Sequence, residues 1–433
     1  MGLSDRIRFQ YNARVRPRLN GDLKRLFQLN EEKYPFEALK PGEHIRLALD
    51  WLAATHAEVD QKGFPTKFNV KYSYGLGPSY PETTGYTLNT LLTMLRNWDQ
   101  FVEISGEKAH SPSKSRIATL TRNSFDWLKS IQFENGAWTG GHAALHNYGT
   151  PSVFNTGQIL LGMVDVYRST GGEVAEVAEF QSVDREDLKQ RCHKAAHWLK
   201  DQLAEDGSFK TEFAYTETPL TYYSRSMYGA LNTAVFLEDE DLLKGIRPHY
   251  DWVTSMQEPS GWINNWGFEQ DWAVMHRISY TLRGMVEAAI RYEDEKYLEV
   301  VLKGIDFLLQ TDLKGFTYAG NEVPEAIPSY VSRQGKFRNE LCPTGLSQLA
   351  IVLAKLPDSH RSEKHERLFQ NIVDLTKRLQ TRGFRNPLMN GVLPGSYPLQ
   401  GKYKSFDLLE WATKFFLDTL LIEAGIPAKE IRG

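Results

Sequence analysis

The chain has 433 residues, 41% of them apolar and 24% charged, with a formal net charge of −3. This balance is ordinary for a folded protein and leaves out nucleic-acid binding, which needs a basic face or domain. Two cysteines, Cys192 and Cys342, cannot form a disulfide framework and suit a reducing compartment.

A cytoplasmic location is expected, since the N-terminus lacks an apolar core of signal-peptide length and no run reaches the ~18 apolar residues of a membrane span. Residues 6–28 carry Arg6, Arg8, Arg14, Arg16, Arg18, Lys24 and Arg25 among Ile7, Phe9, Leu19, Leu23, Leu26 and Phe27. That mixture permits peripheral membrane contact through an amphipathic segment. Pro17 and Gly21 argue against the continuous helix such contact would use, so residues 1–39 are read as a basic arm packed on the remainder. Residues 40–433 are read as a single domain.

From Trp51 onward one phrase recurs: a helix end, often with Gln, then Gly followed by an aromatic. It reads Trp51…Gln61-Lys-Gly-Phe64, Trp127…Gln132-Phe-Glu-Asn-Gly-Ala-Trp138, and Trp198…Gln202…Gly207-Ser-Phe209. It continues as Trp252…Gln257…Gly261-Trp262, Phe307…Gln310…Gly315-Phe316, and Leu379-Gln-Thr-Arg-Gly-Phe384. A helix stopped by a Gly cap, with an aromatic folded back on it, accounts for each. After each comes a loop and a helix apolar on nearly every side, over 84–98, 153–169, 221–237, 275–292, 342–356 and 408–423. The preceding helices, such as 114–132, 185–203 and 361–380, keep charges on one face. Six alternations with a period of roughly 55–75 residues predict an all-α (α/α)6 toroid, six inner helices wrapped by six outer ones. The acidic stretch 171–184 reads as a solvated insertion.

The form Gln132–Trp138 resembles the repeat of squalene-hopene cyclases and related prenyltransferase toroids. The six-fold pattern as a whole resembles carbohydrate-active (α/α)6 enzymes: glucuronyl C5-epimerases, unsaturated glucuronyl hydrolases and sugar 2-epimerases. Ser79-Tyr-Pro-Glu-Thr-Thr-Gly-Tyr86 is similar to a phrase of toroid proteins from bacterial polysaccharide loci. Terpene cyclisation by protonation needs an Asp-x-Asp-Asp acid cluster, which the chain lacks, so the cyclase reading is disfavoured.

In a toroid the inner helices turn one set of ends to a shared cavity. The residues at those ends are Tyr80, Glu82 and Tyr86; Asn155, Thr156 and Gln158; Tyr222, Tyr223 and Arg225. Further along come Asp271, His276, Arg277, Tyr280 and Arg283; Glu340, Thr344 and Gln348; Tyr397, Trp411 and Lys414. The loop tyrosines Tyr72 and Tyr74 and the ring of Trp266 are added as saccharide contacts. Helix N-termini add positive potential, which suits an anionic ligand. The set fits proton abstraction beside a uronate carboxylate, which needs a base, a cation for the developing enolate, and an acid or a leaving group. Glu82, Tyr80, His276 and Tyr222 are the expected proton carriers; Arg225, Arg283 or Lys414 would hold the carboxylate. Glycoside hydrolysis is the rival, drawing a carboxylate pair from Glu82, Asp271, Glu340 and Glu410. A toroid that binds a glycan or lipid carrier without reaction is the third reading.

Simpler roles stand beside these. Glu82 can be a first-turn helix acid, Gln158 and Gln348 bridges between inner helices, Trp266 a wedge between repeats. Cys192, His193 and Cys342 invite a zinc reading, but Cys192 falls on the apolar stripe of an outer helix, and no metal or other cofactor is expected.

Overall fold

The computed structural model describes residues 3–105, 112–141, 149–172, 174–311, 315–318, 321–322 and 326–433. Met1 and Gly2 of the arm and Glu173 of the acidic stretch lie outside them. An N-terminal arm of α1 (Leu3–Gln10), α2 (Arg16–Leu19) and α3 (Gly21–Leu29) precedes α4 (Pro41–Glu58) and α5 (Pro81–Arg96). Then follow α6 (Trp98–Ser105), α7 (Lys114–Ser130), α8 (Val153–Ser169), α9 (Arg185–Asp201), α10 (Ser224–Leu237) and α11 (Glu240–Ser255). The last are α12 (Met275–Tyr292), α13 (Glu295–Gln310), α14 (Pro343–Lys355), α15 (Glu363–Leu379) and α16 (Glu410–Glu423).

The inner ring is α5, α8, α10, α12, α14 and α16, each packed on the next, with α16 returning to α5. The outer ring is α4, α7, α9, α11, α13 and α15; α4 seats on α16 and so closes the circle. The fold is the expected all-α toroid. Inner helices are buried along most of their length, and outer helices only along one stripe. Aspartates at the N-caps of three outer helices, Asp184, Asp239 and Asp294, accept a backbone N–H of their own first turn at 2.9–3.1 Å, which is the favoured chemistry for that position.

Small residues let the inner helices approach each other. A Cβ on Gly162 would lie 2.1 Å from the Gly85 carbonyl oxygen, and one on Gly229 would lie 2.4 Å from that of Gly157. At three of the six repeats the recurring Gln, through Nε2, ties its own turn to a neighbouring outer helix, whereas Gln202 Nε2 donates back to Trp198 O of its own helix. Gln132 Nε2 donates to Gly136 O and, on α9, to Arg191 O; Gln257 Nε2 donates to Gly261 O and to Val300 O on α13. Gln380 Nε2 does the same with Gly391 O and His44 O of α4, across the seam where the ring closes. The capping glycines need their left-handed backbone, with φ of +94° at Gly136 and +92° at Gly261.

Short strands gather before the inner helices: β1 (Lys67–Asn69), β2 (Gly75–Leu76), β3 (Trp272–Val274), β4 (Thr317–Tyr318), β5 (Asn321–Glu322), β6 (Tyr330–Ser332), β7 (Leu393–Pro394) and β8 (Asp407–Leu409). An antiparallel sheet in the order β2-β1-β8-β7 and the pair β3-β6 feed directly into α16 and α12. These strands shorten the last inner helix, expected from 408, to begin at Glu410. Pro81 at the first helical position starts α5 earlier than expected.

At the opposite end of the ring, Arg432 and Arg96 both reach Asp165, at 3.1 and 3.0 Å, and Arg283 Nη2 donates to Ile431 O at 2.8 Å. The stretch 171–184 is more than a solvated insertion: Val174 and Phe180 are buried and Arg122 reaches Glu179 O and Ser182 Oγ.

The arm lies on the loops at the strand-bearing end. Asn12 donates to Tyr72 O at 2.9 Å, Asn20 Nδ2 to Tyr74 Oη at 3.2 Å, and Tyr397 Oη to Leu29 O at 2.9 Å. Contrary to expectation, its first part stays helical through Pro17. A wide π-type turn over Tyr11–Val15 joins α1 to α2 with helical backbone throughout, and such widening accommodates a missing N–H. Among the described residues no helix is long and apolar enough to cross a membrane.

Candidate active site

The loops before α5, α8, α10, α12 and α16 enclose a cavity of about 360 Å³ at the strand-bearing end. Its polar wall holds Tyr80, Glu82, Tyr222, His276, Arg277 and Lys404; its apolar wall includes Phe154, Phe268 and Trp411. Lys67, Tyr215, Tyr280 and Tyr403 complete the lining, with Thr66.

Glu82 is placed by helix geometry: Pro81 opens α5 and puts Glu82 in the first turn, facing the cavity. Loss of water there pushes its carboxyl up to about 7, against the opposing pull of the Tyr80 hydroxyl and the Lys404 charge. Tyr80 belongs to a chain of hydroxyl and amide groups with Tyr215 and Asn155. Tyr215 Oη donates to Asn155 Oδ1, and Asn155 Nδ2 is anchored on Thr139 O at 2.9 Å. Burial raises the phenols of Tyr80 and Tyr222, so both carry their proton at neutral pH.

His276 stands on the first turn of α12, its ring 4.4 Å from that of Tyr280 and 5.4 Å from that of Tyr403. Burial first, then the charges of Arg277 and Lys404, hold its pKa well below the usual range, and the imidazole is neutral. Its Nδ1 meets Gln348 Nε2 at 2.8 Å, so Gln348 is the bridge between inner helices expected of it and also fixes the His276 ring.

Cationic groups share the cavity with Glu82. Arg277 stacks its guanidinium 3.3 Å over Phe268. Lys404 lies 5.5 Å over the Trp411 ring, on a loop where Lys404 and Phe406 both take positive φ, +53° and +60°, a conformation that non-glycine residues adopt at some cost. Lys67 is paired with Asp407 at 2.8 Å.

A second carboxyl sits just outside the lining. Glu410, fully buried at the start of α16, accepts from Thr87 Oγ1 at 2.6 Å. Burial pushes it up to about 8, with the Glu82 charge acting in the same direction.

Other expected contacts lie elsewhere. Tyr72 stacks on Phe9 with ring centroids 5.2 Å apart, and Tyr74 carries Arg16 4.4 Å over its ring, so both serve the arm. Tyr397 holds the arm as well. Glu340 is a loop staple, accepting from Ser329 Oγ at 2.8 Å and Lys402 N at 2.7 Å. The backbone carbonyl of Asp271 accepts from Arg333 N, and Asp271 is absent from the cavity lining. Trp266 is fully buried edge-on to Trp262, at 5.4 Å, a wedge between repeats.

Tyr86 is buried below the cavity beside Phe415. Gln158 is buried with no hydrogen-bond partner among the described residues. Arg283 is engaged at the far end by Glu287 and Ile431 O, because an arginine two turns into α12 reaches down the ring. Lys414 pairs with Asp418 at 2.7 Å inside the ring, and burial lowers it to about 8. Arg225 is fully buried between the Tyr228 and Tyr280 rings, at 5.4 and 5.8 Å, and burial with the Arg283 charge lowers it to about 10.

Arg225, Arg283 and Lys414 thus lie deeper than expected, and the cations that line the cavity are Arg277, as expected, with Lys404 and Lys67. Cys192 points into the core. His193 and His197, on the outward side of the same helix, both meet the capping Asp239, at 3.2 and 2.8 Å, remote from the cavity lining.

No protein-family model and no curated protein matches the chain. Solved structures do. An unsaturated glucuronyl hydrolase specific for heparin is 12% identical over 88% of this chain and 95% of its own, with a TM-score of 0.57. The unsaturated glucuronyl hydrolase of Bacillus sp. GL1 is 15% identical, covering 89% and 97%, with a TM-score of 0.59. Cellobiose 2-epimerase from Bacillus thermoamylovorans B4167 is 12% identical, covering 86% and 95%, with a TM-score of 0.60. Over nearly its whole length, this chain shares the fold of these glucuronyl hydrolases and sugar epimerases.

Proposed function

We propose that the protein is an enzyme acting on an anionic, uronate-type saccharide of bacterial polysaccharide metabolism, by proton transfer at the carbon beside the carboxylate. The observation that carries this reading is the pairing of one cavity carboxyl, Glu82 with its pKa raised to about 7, with Arg277 and Lys404 across an aromatic-walled cavity. A base near the working pH is what proton abstraction from carbon requires, and fixed cations stabilise the enolate that forms. In this scheme Glu82 takes the C5 proton and the C–H electron pair moves into the carboxylate held by Arg277 and Lys404. Return of a proton from Tyr222 or His276 on the other face gives the epimer. Departure of the 4-oxygen substituent gives a 4,5-unsaturated sugar. Proton transfer among side chains needs no metal or organic cofactor.

The structural neighbours support a saccharide, since they are named as glucuronyl hydrolases and a sugar epimerase. Hydrolysis by a carboxylate pair is the second reading. It is favoured only by Glu410, whose charge acts on Glu82; Asp271 and Glu340 are absent from the lining.

The test is product analysis by NMR with uronate-containing oligosaccharides and the same oligosaccharides reduced to neutral sugars. Epimer or unsaturated product from the uronates alone is expected, with Arg277→Ala raising KM about tenfold. Cleavage of uronate and neutral sugars alike would favour the hydrolase reading. Binding of uronates without any product would mean a glycan-binding toroid.

A further inference from the structure

The arm has a face that the ring does not use. From Leu3 to Leu19 it is helical throughout, as α1, the wide turn and α2. Asn12 is buried against the ring, and Phe9 and Arg16 are partly covered. Tyr11, Val15 and Leu19 point the other way, four residues apart, with 44%, 42% and 74% of their surface exposed. They are three of the nine large exposed apolar residues among those described, gathered on one helical line.

Beside that line stand Arg8, Arg14 and Arg18, all exposed. Residues 3–19 hold five arginines against one acid, Asp5, in a chain whose net charge is −3. The positive charge is therefore local to this helix.

We propose that this helix lies on an anionic lipid bilayer, with Tyr11, Val15 and Leu19 dipping into the headgroup boundary and the arginines reaching lipid phosphates. A helix with an exposed apolar line bordered by cations is the physical signature of interfacial binding. Long basic side chains can keep their stems on the apolar surface while the heads find charge. Charge complementarity favours a bilayer over a protein partner: each turn of the exposed line offers one apolar side chain with an arginine beside it, a pattern that suits a laterally uniform anionic surface.

The placement also sets an orientation. The arm stacks on Tyr72, Tyr72 meets Phe406 edge-on at 5.6 Å, and Lys404, two residues earlier, lines the cavity. The bilayer-binding face and the cavity mouth therefore belong to the same end of the toroid, so a bound protein holds its mouth near the membrane, within reach of membrane-attached molecules.

The test is flotation of the full chain with vesicles of phosphatidylcholine alone or with 30 mol% phosphatidylglycerol. These vesicles contain no saccharide, so the result does not depend on the proposed function. Binding at least tenfold stronger to the anionic vesicles and weakened by salt is expected. Val15→Glu with Leu19→Glu should lose at least 90% of it, and Arg14→Gln with Arg18→Gln a comparable share, with unchanged far-UV circular dichroism. Neither pair touches the cavity, so turnover of a soluble substrate should stay unchanged. Equal recovery with both vesicle types, or full binding by the Val15/Leu19 variant, would overturn the proposal. Loss of self-association in that variant, with no vesicle binding by the parent, would also overturn it and make the line a protein interface.

Discussion

Glu82 and Glu410 face the same physical problem from two depths. Both are carboxyls drawn out of water at the starts of inner helices, and both have pKa values pushed up, to about 7 and about 8. Glu82 borders the cavity, where a raised pKa is of use to a base; Glu410 is sealed beneath, where it only costs stability once ionised. The sign follows from linkage. Unfolded, Glu410 loses its proton near 4.5, whereas folded it keeps it to about 8. Between those values the native state binds the extra proton, and stability falls as pH rises through that window. Glu410→Gln, which still accepts from Thr87, should therefore be nearly neutral below pH 4.5 and stabilising by roughly 4–5 kcal/mol at pH 9, the shift being taken at about 1.4 kcal/mol per pKa unit. Denaturant melts of both proteins at the two pH values check this; equal differences at both would show that Glu410 titrates normally.

Only part of this residue-scale picture was legible in the sequence. Glu82, Tyr80, Tyr222 and His276 were readable because they stand at the first turns of inner helices, whose positions follow from apolar pattern and caps. Lys404 and Tyr403 were not, because they sit in a loop whose course depends on strand pairing between segments more than 300 residues apart, such as β1 with β8. Tyr215 was not, because its loop is placed by side-chain contacts with Asn155 and Tyr223. Arg225, Arg283 and Lys414 had the right sequence neighbourhood, but side-chain direction put them inside the ring.

The elements were the most legible scale. Inner and outer helices differ in periodicity, and all six inner starts fall within three residues of expectation. What the pattern did not contain was the second partner of Gln132, Gln257 and Gln380. That second carbonyl lies on a neighbouring outer helix, and for Gln380 the contact with His44 O exists only once the ring is closed. Close packing of inner helices gives a sharp prediction. A methyl on Gly162 would have to displace the backbone of Gly85, and two helices cannot yield as a flexible side chain can. Gly162→Ala should cost about 3 kcal/mol or more, at the upper end of overpacking effects, against well under 1 kcal/mol for the exposed Gly172→Ala. Urea titration of the two variants measures the difference, and similar midpoints would mean that α5 and α8 are not in contact through these glycines.

At the scale of the molecule, the two ends of the toroid do different things. The far end is locked by Arg96, Asp165 and Arg432, ion-paired in a buried network. The near end is built of loops and short strands, and there lie the cavity, its cations and the arm. That the chain would form a ring followed from counting repeats. Which end opens, and that the arm lies beside the opening, came from contacts such as Asn12 with Tyr72 and Asn20 with Tyr74, which no repeat pattern encodes.

The central claim is that Glu82 removes a carbon-bound proton from a uronate held in the cavity. The most direct measurement is the rate of solvent deuterium incorporation at uronate C5, followed by NMR across pD for the wild-type chain and Glu82→Gln. The rate should rise through an apparent pKa of about 7, the value burial gives Glu82, and fall about 10²–10⁴-fold in the variant. Exchange at the wild-type rate in Glu82→Gln, or product formation with no deuterium at C5, would contradict it.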